Sequence, residues 1–125
     1  MEQKFFRCEV CGNIIAYVKH SGVTVFCCGK PMTQIIPQAV DTGVEKHVPI
    51  VEIDANKVTV KVGEIEHPMS EDHYIEWISL QTKQGNQRKI LKPGDKPYVE
   101  FFISSDDEVE VVYEYCNLHG LWKNS

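Results

Sequence analysis

The 125-residue chain lacks any apolar run of the roughly 18 or more residues that a membrane helix needs. Its first residues, MEQKFFRCEVCG, lack the apolar stretch and small-residue cleavage site of a secretion signal, so the expected compartment is the cytoplasm, where thiols stay reduced. It lacks a basic stripe. The formal net charge is −5, and the deficit lies in residues 37–125, with nine Lys/Arg against sixteen Asp/Glu. Nucleic acid, which needs a basic face, is therefore not an expected partner, and neither is a membrane. It lacks an even cysteine count: five, at 8, 11, 27, 28 and 116, cannot all pair within one chain. Metal binding or catalysis is a better use for them than a disulfide framework. It also lacks a convincing helical period, an internal repeat and a low-complexity tract.

What is present is strand after strand. Apolar alternation or β-branched runs occur at VPIVEI (48–53), KVTVKV (57–62), YIEWISL (74–80), YVEFFI (98–103) and VEVVYEY (109–115). Turn residues separate them, as in Gln84-Gly85-Asn86, KPGDKP (92–97) and SSDD (104–107). Short strands at this spacing predict a two-sheet sandwich of about seven strands, immunoglobulin-like in architecture. Composition changes near Ile36–Gln38. Four cysteines precede that point; four of five histidines and the last cysteine follow it. The expectation is a mainly β chain of two parts: a small four-cysteine metal module over 1–36 and a sandwich over 37–125. The first part, with strands in KFFRCEVCGNIIAYV and VTVFCCGKPM, is too short to bury a sufficient core and needs a staple.

Cys8 and Cys11 form C-x-x-C before Gly12, the knuckle in which backbone amides fold around thiolates. Cys27 and Cys28 supply a second pair. Four thiolates favour a tetrahedral soft-ligand site, for zinc or a single iron. In an extended strand, side chains 27 and 28 would point to opposite faces, so the backbone must turn between them, and Gly29 eases that turn. Buried core cysteines and a structural zinc ribbon are the competing readings.

His20, in KHSG, reads as a solvated turn residue. His47, His67, His73 and His119 each fall at a strand end or in a loop, and loops at one end of a sandwich converge. His119 lies three positions after Cys116. Four imidazoles and one thiolate exceed the four ligands zinc prefers and suit iron. Four nitrogens could form a plane with sulfur on one axis and the opposite axis open, a site suited to redox chemistry with an oxygen species. A Cys–His nucleophilic pair is the rival, but it leaves three histidines unexplained.

In combination, CEVCGN, CCGKPM, EKHVP, HPMSEDHYIEW, LKPGD and EYCNLHGLWK resemble the two-iron desulfoferrodoxins, which are superoxide reductases. The resemblance spans the chain in order. It implies a desulforedoxin-like, rubredoxin-type module with iron on Cys8, Cys11, Cys27 and Cys28. It implies a catalytic iron on His47, His67, His73 and His119, with Cys116 axial and Glu45 and Lys46 flanking the open position. It also implies one-electron reduction of superoxide to hydrogen peroxide, a rubredoxin-type electron donor and a homodimer. A non-catalytic electron-transfer iron protein is the alternative.

Overall fold

In the computed structural model, which describes residues 2–124, every element is a strand and no helix occurs among the described residues. The chain divides into two compact units, Met1–Ile36 and Pro37–Ser125.

The first unit holds β1 (Phe5–Arg7), β2 (Ile14–Ala16), β3 (Phe26–Cys27), β4 (Lys30–Pro31) and β5 (Thr33–Ile35). A three-stranded sheet in the order β2-β1-β5 stands beside the two-residue ladder of β3 and β4. Among its described residues only Phe5, Cys8 and Met32 are buried apolar side chains. Three such residues, at about 1.5–3 kcal/mol each, do not offset the ordering entropy of some 35 residues. His20 is exposed, and its ring stacks flat on Tyr17 at 4.0 Å.

The second unit holds β6 (Pro49–Asp54), β7 (Lys57–Val62), β8 (Ile75–Thr82), β9 (Asn86–Ile90), β10 (Tyr98–Phe102), β11 (Val109–Cys116) and β12 (Gly120–Lys123). One antiparallel sheet runs β10-β7-β6 and the other β12-β11-β8-β9. The core lies between them. Val58, Val60 and Val62 of β7 and Val99 and Phe101 of β10 meet Ile75, Ile78 and Leu80 of β8 and Val112 and Cys116 of β11. Strict alternation holds on β7 and β10. On β8 it breaks, because Cys116 pairs with Ile75 while Tyr115 pairs with Trp77, leaving Glu76 as an extra residue. That bulge lets both Ile75 and Ile78 face the core although they differ in parity. β9 and β12 fall outside the five sequence-predicted runs. β9, NQRKI, is exposed at every residue and carries no apolar alternation.

The strand directions place one set of turns at one end. The residues before β6, after β7, before β8, after β11 and before β12 all lie there, because each pairing is antiparallel.

Candidate metal centres

In the first unit, Cys8 directly follows β1 and opens a tight turn. Gly12 N–H donates to the Cys8 carbonyl at 2.9 Å, and Cys11 N–H points at Cys8 Sγ at 3.5 Å. Asn13 Nδ2 donates to Cys27 Sγ at 3.5 Å, and Cys11 and Cys27 sulfurs lie 3.6 Å apart. All four sulfurs of Cys8, Cys11, Cys27 and Cys28 lie within 4.8 Å of one another. The turn between the adjacent cysteines falls on Cys28 itself, at φ 53°, and continues through Gly29 at φ 75°. A non-glycine residue in the left-handed region carries strain. Here it aims both thiols at one point.

The backbone amides of Cys11 and Val10 lower the Cys8 thiol to about 6. The crowding of sulfurs does the opposite at Cys28, pushed up to about 12, chiefly by its bond to Cys11 and then to Cys8. Four thiolates this close repel, so a cation must replace the remaining protons. The donor set fits a tetrahedral soft-metal ion.

In the second unit, His47 stands two residues before β6. Asp41 fixes it: one carboxylate oxygen accepts the His47 N–H at 2.6 Å, and the same oxygen accepts that of Val48 at 3.2 Å. His67 ends the turn after β7, where its N–H donates to the Val62 carbonyl at 2.9 Å. His73 closes the Ser70–His73 turn before β8. Cys116 is the last residue of β11 and fully buried in the core cluster; His119 sits in the turn to β12, half-exposed. Asn117 ties this turn to the β8 entrance, accepting from Tyr74 N–H and donating to the Asp72 carbonyl.

The four imidazoles form a ring, each roughly perpendicular to the next: His47–His67 at 62°, His67–His73 at 84°, His73–His119 at 76° and His119–His47 at 79°. A Glu45 carboxylate oxygen caps one face of it. It lies 3.3, 3.2 and 3.0 Å from Nε2 of His47, His67 and His73, and 3.4 Å from Nδ1 of His119. Cys116 Sγ is 3.9 Å from His119 Nδ1. Lys46 turns its ammonium to the Gly43 carbonyl at 3.1 Å. Glu45, expected beside an open position together with Lys46, thus stands over the four nitrogens. A cleft of about 460 Å³, lined in part by Thr42, Val44, Glu45 and Trp122, adjoins the ring.

The protonation pattern argues for a cation. His67 Nδ1 lies 2.7 Å from the Pro68 carbonyl, which can only accept, so the proton is on Nδ1 and Nε2 presents a lone pair. Burial, and then neighbouring His67, lowers His47 to about 4; burial also lowers His67. Both rings are therefore neutral near pH 7. The lone pair of His67 faces a carboxylate oxygen at 3.2 Å, acceptor against acceptor. The buried Glu45 oxygen and His73 Nε2 are 3.0 Å apart, yet neither makes a hydrogen bond. Such groups are tolerated together around a metal ion. Burial raises the Cys116 thiol, while the amides of His119 and Leu118 lower it, so here too a cation must displace a proton. Four nitrogens, a sulfur and a carboxylate oxygen suit six-coordinate iron and exceed what zinc takes.

Asp41, Asn117, Gln38, Trp122 and Glu114 escaped the sequence reading. Glu114 is fully buried with both oxygens unpartnered, and burial holds its carboxyl well above the usual range. The signal for it existed: it lies midway between the inward-facing Val112 and Cys116 on β11.

The comparisons agree with this geometry. The family model for desulfoferrodoxin matches residues 39–125, and that for the desulfoferrodoxin N-terminal domain matches residues 1–35. A desulfoferrodoxin homolog of Archaeoglobus fulgidus is 47% identical over 119 residues, covering 95% of this chain and 94% of its own. Desulfoferrodoxin of Nitratidesulfovibrio vulgaris is 44% identical over 122 residues, covering 98% and 95%. The crystal structure of superoxide reductase from Treponema pallidum superposes with a TM-score of 0.86 at 36% identity, covering 99% of this chain and 98% of that one. With both family models matched in order and both ligand clusters assembled, the chain belongs to the desulfoferrodoxin family.

Proposed function

We propose that the chain is a superoxide reductase with two iron centres, and that it reduces superoxide to hydrogen peroxide using one electron and two protons. The observation that carries this reading is the convergence of four imidazoles, a buried thiol and one carboxylate at the open end of the sandwich. Residues 1–36 are the rubredoxin-type four-cysteine module, and residues 37–125 the catalytic domain.

A ferrous ion held by His47, His67, His73, His119 and Cys116 would supply the electron, and an external donor would restore it. The remaining work belongs to the protein. The His67 Nδ1–H bond to the Pro68 carbonyl fixes that imidazole's tautomer and plane. Burial keeps His47 and His67 neutral and therefore able to donate lone pairs. Cys116, the one soft donor, offers its sulfur from the core, where water has no access. Glu45 holds the place that substrate needs and must swing out for a small anion to enter. Its return would displace product. The Lys46 ammonium, one residue from each of Glu45 and His47, draws an anion toward this end against the net negative charge of residues 37–125. The reaction is a reduction and not a dismutation, since each turnover consumes an electron from outside. A rubredoxin-type protein as donor, a homodimer and a cytoplasmic location are parts of the same proposal, supported by the family resemblance.

The test is Cys116→Ser. The variant should lose the ferric thiolate charge-transfer band and superoxide consumption while the chromophore of the four-cysteine site persists. Full absorption and activity in the variant would remove Cys116 from the ligand set. A parent protein that carries iron but does not consume superoxide would favour a plain electron-transfer role.

A further inference from the structure

Each imidazole in the ring needs something to hold its plane, and the usual device is a hydrogen bond to the nitrogen that does not face the metal. His67 has one, to the Pro68 carbonyl. For His47 no hydrogen bond to Nδ1 occurs among the described residues. In its place the Trp122 indole lies flat against the His47 ring, centroids 4.6 Å apart and planes 11° from parallel. The same indole acts on a second ligand. Its Nε1–H donates to the His119 carbonyl at 3.2 Å, and Gln38 Nε2 donates to that carbonyl at 3.0 Å. Trp122 is itself fixed: it is buried, with 6% of its surface exposed, and its backbone is paired with Glu114 on one side and bridged to Gln38 on the other.

We propose that Trp122 is a positioning residue for two of the four imidazole ligands: its face sets the plane of the His47 ring, and its N–H fixes the backbone from which His119 reaches the site. The inference rests on the reading of this cluster as an iron centre. One rigid side chain thus meets the His47 ring and the backbone that carries His119, so a shift of the indole reaches both donors together. A flat aromatic face constrains tilt while leaving the imidazole free to slide in its plane, which a hydrogen bond does not allow.

The test uses full-length iron-loaded protein with Trp122→Leu and Trp122→Phe. Iron retention in the second site is measured by chelator competition, and the ferric site by electron paramagnetic resonance and its charge-transfer band. Trp122→Leu removes both contacts and should weaken retention about 10- to 100-fold, the range for changes behind metal-ligating histidines, and change the ferric spectrum. Trp122→Phe keeps a face for His47 but loses the bond to His119; it should retain iron better than Trp122→Leu and still change the spectrum. A variant with a lower melting temperature but the parent's iron affinity and spectrum would show a purely structural role and overturn the proposal. If Trp122→Leu does not fold, Trp122→Phe decides alone, and a parental spectrum there overturns it. A parent protein without iron in this site would refute the iron reading, and the inference with it, before either variant is compared.

Discussion

The two units solve the same problem, gathering mutually repelling ligands, from opposite starting points. Among the described residues the first unit buries Phe5, Cys8 and Met32, one of which is itself a ligand; the second buries sixteen apolar side chains. In the first, the metal is the core. In the second, a core exists already: Cys116 ends one of its strands, and the four histidines hang from the loops and turns beside it. Their proton chemistry differs as well. Thiols such as Cys28, at about 12, keep their protons until a cation expels them, whereas His47, at about 4, is neutral before any metal arrives. Loading the first unit should therefore release more protons at neutral pH than loading the second.

The largest test of that contrast is Cys8→Ser. Binding energy in so small a module is folding energy, on the order of 10 kcal/mol for structural zinc in comparable peptides. The first unit should lose its metal and its order, with iron falling from about two to about one per chain. Amide NMR signals from the second unit should stay dispersed and the reaction with superoxide should persist. Collapse of both units would end the comparison.

A smaller effect comes from the other side. Phe101→Ala empties a site 1% exposed at the centre of the sandwich and should cost about 3–5 kcal/mol. Thermal unfolding of the second unit should move down while the visible absorption of the four-cysteine site holds to its parental temperature. A simultaneous loss of both would show that the units melt as one.

The smallest effect concerns neither fold. Lys46→Ala should leave both metals in place and slow the encounter with superoxide several-fold. Screening acts over about 8 Å at physiological ionic strength, so the parent rate should fall as salt rises and the variant rate should start lower and fall less. Equal rates and equal salt slopes by stopped flow would leave Lys46 as a solvated surface charge.

Much of this was legible in the sequence, for physical reasons that can be named. The strands of the core could be read because one face is buried and period-2 patterning follows. β9 could not, because all five residues of NQRKI are exposed and nothing selects their alternation. β12 was hidden by the ligand turn before it, whose Cys116, His119 and Gly120 read as turn chemistry alone. The need for a backbone turn between Cys27 and Cys28 followed from strand geometry, but the left-handed residue proved to be Cys28 as well as Gly29. The nine candidate ligands announced themselves by residue type and position at element ends. The groups that aim them did not. Asp41 lies six residues before His47, and Trp122 looks like ordinary core; each shows its part only when the fold brings it beside a ring.

Because every ligand of the second unit hangs from one end of the sandwich, the other end carries none. The turns there are residues 55–56, 83–85 and 103–108. They latch onto one another: Ile103 N–H donates to the Asn56 carbonyl, and Gln84 donates to Asp107 and to the Asp106 carbonyl. None of those bonds reaches a histidine. Lengthening a surface loop costs only about 0.6 kcal/mol per doubling. Evolution and engineering alike thus have a permissive pole in this domain, where an insertion, a fluorophore or a surface tether can be accepted while the chemistry proceeds undisturbed at the other.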